Sequence, residues 1–363
     1  MDAVRERFQC LHEIVAAARE KLDRDRWDYL VGGTETETTL RRNRRGLDSI
    51  ALEPRVLRNV ARVDCAGALL GARLRIPVVL APVGSIDRFD PEGAAPVAEA
   101  AQAFGCGMLQ SSVTLPALEE TARRAPDAFR IFQLYVRGDA AWIDAHVERL
   151  MAAGYRALCL TVDSAHYSRR ERDIAKRFVA ASPRTAGQAD FQAMLDWNEV
   201  ARLKRKYPVP LILKGIMTAA DAAMAVEHGV EVVYVSNHGG RQLDHGRGAI
   251  DALPEIAAAV QGRAEIVIDG GFCRGTDVVK AIALGADAVG IGRLYCFGLA
   301  AAGRAGVLRV LELLEDEIVR TLGLMGVDRL SALDGSCLRP AAPAGPAHVL
   351  SAFPYIAPCD DRY

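Results

Sequence analysis

Gly229-Val230-Glu231-Val232-Val233-Tyr234-Val235-Ser236-Asn237-His238-Gly239-Gly240-Arg241 is the stretch that decides how this chain folds. Val232–Val235 is a short apolar run and reads as a buried strand. Gly229, three residues ahead of it, ends the Ala-rich helical segment Thr218–His228, because a left-handed helix cap costs glycine nothing. The strand then runs into a loop holding a histidine, two glycines and an arginine. Packing has little use for that set. Histidine moves a proton near neutral pH, and arginine grips a carboxylate with two parallel hydrogen bonds. A base and an anion clamp three residues apart fit proton abstraction from a small acid.

The same helix, glycine, strand and polar loop recur on both sides. Candidate strands are Pro77–Ala81, Met108–Ser111, Arg130–Leu134, Ala157–Thr161, Leu211–Lys214, Val232–Val235, Glu265–Ile268 and Ala288–Ile291. Gly105, Gly154 and Gly285 repeat the role of Gly229, and Thr276–Leu284 has helical period. This βα repeat predicts an α/β protein built on a TIM (β/α)8 barrel. A doubly wound dinucleotide fold would want Gly-x-Gly-x-x-Gly after an early strand, and neither it nor a P-loop occurs. The barrel is expected over 76–335. An N-terminal, mainly helical extension fills 1–75, a helical region occupies 301–335, and 336–363 is a Pro- and Ala-rich tail, extended or docked.

Composition narrows the function. Of 363 residues, half are hydrophobic and a quarter charged, with a net charge of -1. No basic excess speaks for nucleic acid, and no basic amphipathic stretch for a membrane surface. The N-terminus lacks the apolar core of a signal peptide, and no uninterrupted apolar run is of spanning length. The eight cysteines are scattered without Cys-x-x-Cys, as in reduced cytoplasmic proteins. A cytoplasmic enzyme of a small molecule is the expectation. Ala180–Asp196, polar and rich in small residues, follows the fourth strand, where barrels carry lids; a plain surface loop is the alternative.

In a barrel the chemistry gathers at the strand C-termini. Those ends carry Pro82-Val83-Gly84, Ser111, Gln133 with Tyr135, Thr161 with Asp163, Lys214, Ser236 with His238 and Arg241, Asp269-Gly270-Gly271, and Gly292-Arg293. Arg170 follows the fourth strand closely. Glycines in the seventh and eighth loops free backbone amides for a phosphate, and Arg293 adds charge. Thr276-Asp277 opens a helix that could help. Lys214 needs an anionic partner: a neighbouring acid, or a reduced cofactor. Asp163 facing His238 would stabilise an imidazolium; otherwise it caps a loop. The remaining histidines lack metal spacing.

Ser-Asn-His-Gly-Gly-Arg-Gln-Leu-Asp, Leu-Thr-Val-Asp, Phe-Gln-Leu-Tyr, Leu-Lys-Gly, Asp-Gly-Gly and Ile-Gly-Arg closely resemble the FMN-dependent 2-hydroxy acid dehydrogenases, the family of glycolate oxidase, lactate oxidase and mandelate dehydrogenase. The resemblance spans Asp28-Tyr29 to Leu330. It implies FMN, held by its phosphate at loops seven and eight. It implies oxidation of an (S)-2-hydroxy acid to a 2-oxo acid, with oxygen or another electron acceptor, and a homo-oligomer, tetramer or octamer. By position, His238 resembles the base, Asp163 its partner, and Arg170 and Arg241 the carboxylate clamp. Tyr29 and Tyr135 resemble the hydroxyl-bearing pocket residues, and Lys214 the cation beside the flavin. Pro82, Val83, Gly84, Ser111, Gln133, Thr161 and Ser236 match flavin contacts.

Three positions depart from the family pattern. Cys273 stands where the family usually has arginine. Val113 stands for a bulky aromatic, and Gly84 for a frequent alanine. The last two are expected to enlarge the pocket and favour an aromatic or long substrate. Alternatives are a specialised flavin oxidase of a larger metabolite, including oxidative deamination, an FMN-barrel isomerase, and a non-catalytic phosphate-binding barrel. The isomerase leaves the two arginines unused, and the binding barrel leaves His238 and Asp163 unused.

Overall fold

Every one of the eight expected strands forms. They are β1 Val78–Leu80, β2 Gly107–Ser111, β3 Phe129–Leu134, β4 Leu158–Thr161, β5 Leu211–Ile216, β6 Val232–Val235, β7 Glu265–Ile268 and β8 Ala288–Ile291. The structure is a computed structural model and describes residues 2–178 and 190–356. The strands pair in parallel and in chain order, and β8 returns to β1 through Val289 and Val78, so the sheet closes. Alternate side chains point inward: Val79, Leu109, Ile131, Cys159, Ile212, Tyr234 and Val267 fill the lumen. The barrel is a packed core rather than a pore.

The N-terminal extension is helical over Asp2–Arg7, Leu11–Lys21, Arg24–Val31 and Thr38–Asp48. In Leu11–Lys21 the buried set Leu11, Ile14, Val15 and Ala18 has the spacing of one helix face. That helix packs on the long helix Arg293–Leu324. The extension also holds a hairpin, Gly67–Leu69 with Ala72–Leu74, whose Leu69 and Leu74 plug the barrel floor. The Leu70 N–H donates to Glu265 at 2.8 Å, tying the plug to β7. Two three-residue strands carry too little alternation to be seen in a sequence window.

The last helical region starts earlier than 301. It begins at Arg293, directly after β8, and bends at Ala302 and Gly303. This helix is long and apolar enough to cross a bilayer although Arg304 and Arg309 interrupt its apolar run, and 67% of its apolar window is buried inside the protein. Its hydrophobicity serves the core. Beyond it, Leu338–Pro340 pairs antiparallel with Ile50–Leu52, so the tail docks on the extension. The cysteines among the described residues are free. Residues 180–189 of the expected lid segment lie outside the described residues.

Candidate active site

The loop after β6 places His238 by an unusual turn. His238, Gly239 and Gly240 are successively left-handed, with φ of 58°, 64° and 77°. That conformation costs a non-glycine residue on the order of 1–3 kcal/mol and needs surroundings that enforce it. Here the His238 N–H donates to Ser236 Oγ at 3.1 Å, and the Gly240 N–H donates to Asn237 O at 3.0 Å. A Cβ on Gly240 would lie 2.5 Å from the Leu40 backbone, so helix Thr38–Asp48 rests directly on the turn.

His238 Nδ1 then lies 3.0 Å from Asp163 Oδ1, and His238 Nε2 lies 3.1 Å from Tyr135 Oη. Asp163 reaches in because Gly215, next to the last residue of β5, has φ 122°, and a Cβ there would stand 2.7 Å from Asp163 Cβ. Burial alone would raise the Asp163 pKa, but the neighbouring His238 and Lys214 hold it below the ordinary carboxylate range. Burial lowers the His238 pKa against the opposing pull of Asp163. The imidazole is therefore neutral at neutral pH and the carboxylate charged. Nδ1 carries the proton and Nε2 the lone pair, as a base requires.

Lys214 on β5 is buried. Its ammonium donates to Ser236 Oγ at 2.7 Å and pairs with Asp269 Oδ2 at 3.1 Å. Ser236 donates to Asp269 Oδ1 at 2.6 Å. Burial opposes the charge of Lys214, but Asp269 and Asp163 outweigh it, and its pKa rises. The sequence left a choice between an acid and a cofactor as its partner. Asp269 is that acid, and Lys214 still lines the pocket.

Three arginines converge on the same cavity. Arg241 donates to Tyr29 O at 2.7 Å and Gly32 O at 2.8 Å, and lies over the Tyr29 ring. Arg293 donates to Leu30 O, Gly239 O and Gly32 O. Arg170 lies over the Tyr167 ring at 5.1 Å, and its buried Nε has no hydrogen-bond partner among the described residues. Burial and then mutual repulsion depress two of them: Arg293 falls to about 9, and Arg241 is lowered beside Arg170. Such a cluster is built for anions.

The cavity wall includes Tyr29, Tyr135, Arg170, Arg241 and His238, and also Pro82, Val83, Gly84, Thr161, Lys214, Asp269, Gly270, Gly271, Gly292 and Arg293. Ser111, Gln133 and Ser236 stand just behind it. Gln133 donates to Thr161 Oγ1 at 2.8 Å, and its buried Oε1 has no partner. The expected help from Thr276-Asp277 takes another form. Asp277 turns back onto the Cys273 and Arg274 N–H groups and binds Arg44, while Glu317 takes the Gly275 N–H. Those amides are spent on side chains rather than left for a phosphate.

Sequence reasoning missed Asn43, Arg44, Gln192 and Val349. Asn43 exchanges amide hydrogen bonds with Asn237 and accepts from the Ala249 N–H. Gln192 accepts from Val136 N–H and donates to Thr161 O, tying β3 to β4. Each acts across long sequence separations, where no local pattern marks it.

A barrel whose mouth joins a His–Asp pair, a buried lysine, a glycine-lined wall and an arginine cluster has the parts of a flavin enzyme acting on a small acid. Residues 18–340 match the family described as FMN-dependent dehydrogenase, and the chain belongs to that family. It is 39% identical to L-lactate oxidase of Nostoc sp. over 90% of this chain and 97% of the relative. It is 39% identical to glycolate oxidase of Spinacia oleracea over 90% and 94%. Mandelate oxidase with (S)-2-phenylpropionate superposes with a TM-score of 0.85 at 38% identity, covering 92% of this chain and 99% of that one. The protein is thus an FMN-dependent oxidoreductase of 2-hydroxy acids.

The residues fit that cofactor. Glycines 270, 271 and 292 leave a smooth wall beside Arg293, with nothing nearer than 3.8 Å to a Cβ placed on Gly292. Lys214 supplies a fixed positive charge, and the orphan Gln133 Oε1 can accept from a ring N–H.

Proposed function

We propose that His238 is the base that removes the substrate proton, and that Arg170 and Arg241 hold the substrate carboxylate beside it. The observation carrying this reading is the placement of His238 Nε2 within 3.1 Å of Tyr135 Oη and of His238 Nδ1 against Asp163. Arg170 comes with an unspent donor, as an anion clamp should. Tyr135 stays protonated, since burial raises its pKa, and donates to the substrate hydroxyl. Asp163 stabilises the imidazolium once the proton has moved. FMN bound beside Lys214 would supply the two-electron acceptor for the substrate, with oxygen or another acceptor as the final oxidant.

The substrate class we favour is a 2-hydroxy acid with an aromatic or long side chain. Val113 and Tyr167 line the cavity, and Tyr167 is 56% exposed at its mouth, so a large side chain has somewhere to extend. The test is anaerobic mixing of the holoenzyme with glycolate, lactate, mandelate and phenyllactate, following loss of flavin absorbance. Mandelate or phenyllactate should reduce the flavin fastest. Faster reduction by glycolate would overturn the substrate class. His238→Gln should keep its FMN and slow reduction roughly 10²–10⁴-fold, the usual worth of a general base.

A further inference from the structure

The family match ends at residue 340, but the cofactor cavity draws on the chain beyond it. Val349 is part of the cavity wall, together with Phe272, Cys273 and Phe297. It belongs to residues 341–356, which leave strand Leu338–Pro340 and lie across the extension. This segment is anchored. Leu350 and Phe353 are 5% and 0% exposed. The Phe353 ring meets the His12 imidazole edge-on at 5.6 Å, and Tyr355 lies on the same imidazole at 4.7 Å. His12, in helix Leu11–Lys21, also lies outside the family match.

The segment is held in shape from within. The Ser351 hydroxyl donates to His348 O at 2.8 Å, and the Phe353 N–H donates to Leu350 O at 2.8 Å. Its position relative to the pocket follows from Val349, which lines the same cavity as Gly270, Gly271, Phe272 and Cys273 of the loop after β7.

Much of this side is already engaged or neutral. The Cys273 thiol is buried, and burial pushes its pKa up to about 12, so it is neutral. The Arg44 guanidinium is spent on Asp277, Asp48 and Gly271 O. Arg293 supplies charge to the cavity, and the apolar cover adds a second hold on the ligand.

We propose that residues 341–356 form a strap that completes the FMN site, with Val349 as a positioning residue in the cavity wall and the Phe353–His12 contact as its anchor. FMN then leaves mainly when the strap lifts, and the docking of Phe353 sets the rate of release.

The experiment uses the FMN-loaded full-length enzyme and four variants: Val349→Ala, Phe353→Ala, Phe353→Leu, and a chain ending at Gly345. Each is diluted, and the rise in free-FMN fluorescence is followed. Phe353→Ala and the shortened chain should release FMN about tenfold faster or more, tenfold being the equivalent of 1.4 kcal/mol. Val349→Ala should lie between these and the parent, and Phe353→Leu should restore slow release in part. Circular dichroism melting with saturating FMN identifies the variants that are folded. Release within twofold of the parent in the folded shortened chain overturns the strap. If Phe353→Ala does not fold, Val349→Ala and the shortened chain decide. A parent without FMN would instead contradict the cofactor itself, so the two failures are distinguishable.

Discussion

His238 and Asp163 come from loops after β6 and β4, with β5 between them, and yet His238 Nδ1 lies 3.0 Å from Asp163 Oδ1. The contact spans an intervening strand because Gly215, near the end of β5, leaves room for the aspartate. A charged carboxylate only accepts hydrogen bonds, so the tautomer of His238 is fixed by Asp163.

The pair has a pH signature. In the proposed role as base, His238 must be neutral for flavin reduction, and its pKa is lowered by burial, with Asp163 opposing the shift. The rate should therefore rise with pH along an acid limb below 6.5 and be flat at neutral pH. Asp163→Asn removes the group that raises the imidazole pKa, so the limb should move to still lower pH. The plateau should fall as well, because the imidazolium formed in the reaction loses its partner. Anaerobic reduction across a pH series checks both effects. An acid limb moving upward in Asp163→Asn would contradict the assignment.

Arg170 and Arg241 should separate by stability rather than by chemistry. Arg170 Nε has no partner, whereas Arg241 holds Tyr29 O and Gly32 O. Arg170→Met should therefore raise KM for a 2-hydroxy acid with little change in melting temperature. Arg241→Met should raise KM and also free the end of helix Arg24–Val31, at about 0.5–1.5 kcal/mol for each lost hydrogen bond. Equal melting temperatures for the two variants would argue against this division.

The barrel was legible because each βα unit announces itself locally, and the residues gathered at the cavity because they follow strands at fixed places. What stayed hidden acts between distant segments. Asn43 and Arg44 sit on a helix that looks like an ordinary amphipathic surface element, and only tertiary packing brings them to the loops after β6 and β7. Arg293 was assigned to a phosphate from its place after β8, but its backbone acceptors at Leu30, Gly32 and Gly239 are not deducible from sequence.

Arg44 offers a test of that hidden layer. It pairs with Asp277, which is 1% exposed and whose pKa burial would raise but Arg44 holds down. Arg44→Met leaves a buried carboxylate uncompensated, which costs roughly 3–5 kcal/mol. A carboxylate with a lowered folded pKa stabilises the protein above its unfolded pKa, and that stability is lost as pH falls through the folded value. The deficit of Arg44→Met should thus be full at neutral pH and shrink on acidification. Urea melts at neutral and acid pH measure it; a deficit that grows on acidification would contradict the pairing.

Gly84 and Val113 were expected to enlarge the pocket together, but their effects are not independent. A Cβ on Gly84 would lie 2.8 Å from Val113 Cγ2, so the valine already occupies part of the space the glycine leaves. Valine has stiff χ1 preferences and cannot simply swing aside, and the Ser85 N–H holds Val113 O at 2.9 Å. Gly84→Ala should therefore destabilise by about 1–3 kcal/mol, the range for overpacking. Val113→Ala should relieve it, and the double variant should be more stable than the sum of the singles by at least about 0.5 kcal/mol, the threshold for coupled neighbours. The functional consequence runs the same way. In Gly84→Ala the displaced valine intrudes on the cavity, so KM should rise more for phenyllactate than for glycolate, and the added Val113→Ala change should reverse that order. Additive stabilities, or a KM rise equal for both substrates, would mean that the two side chains do not share one space.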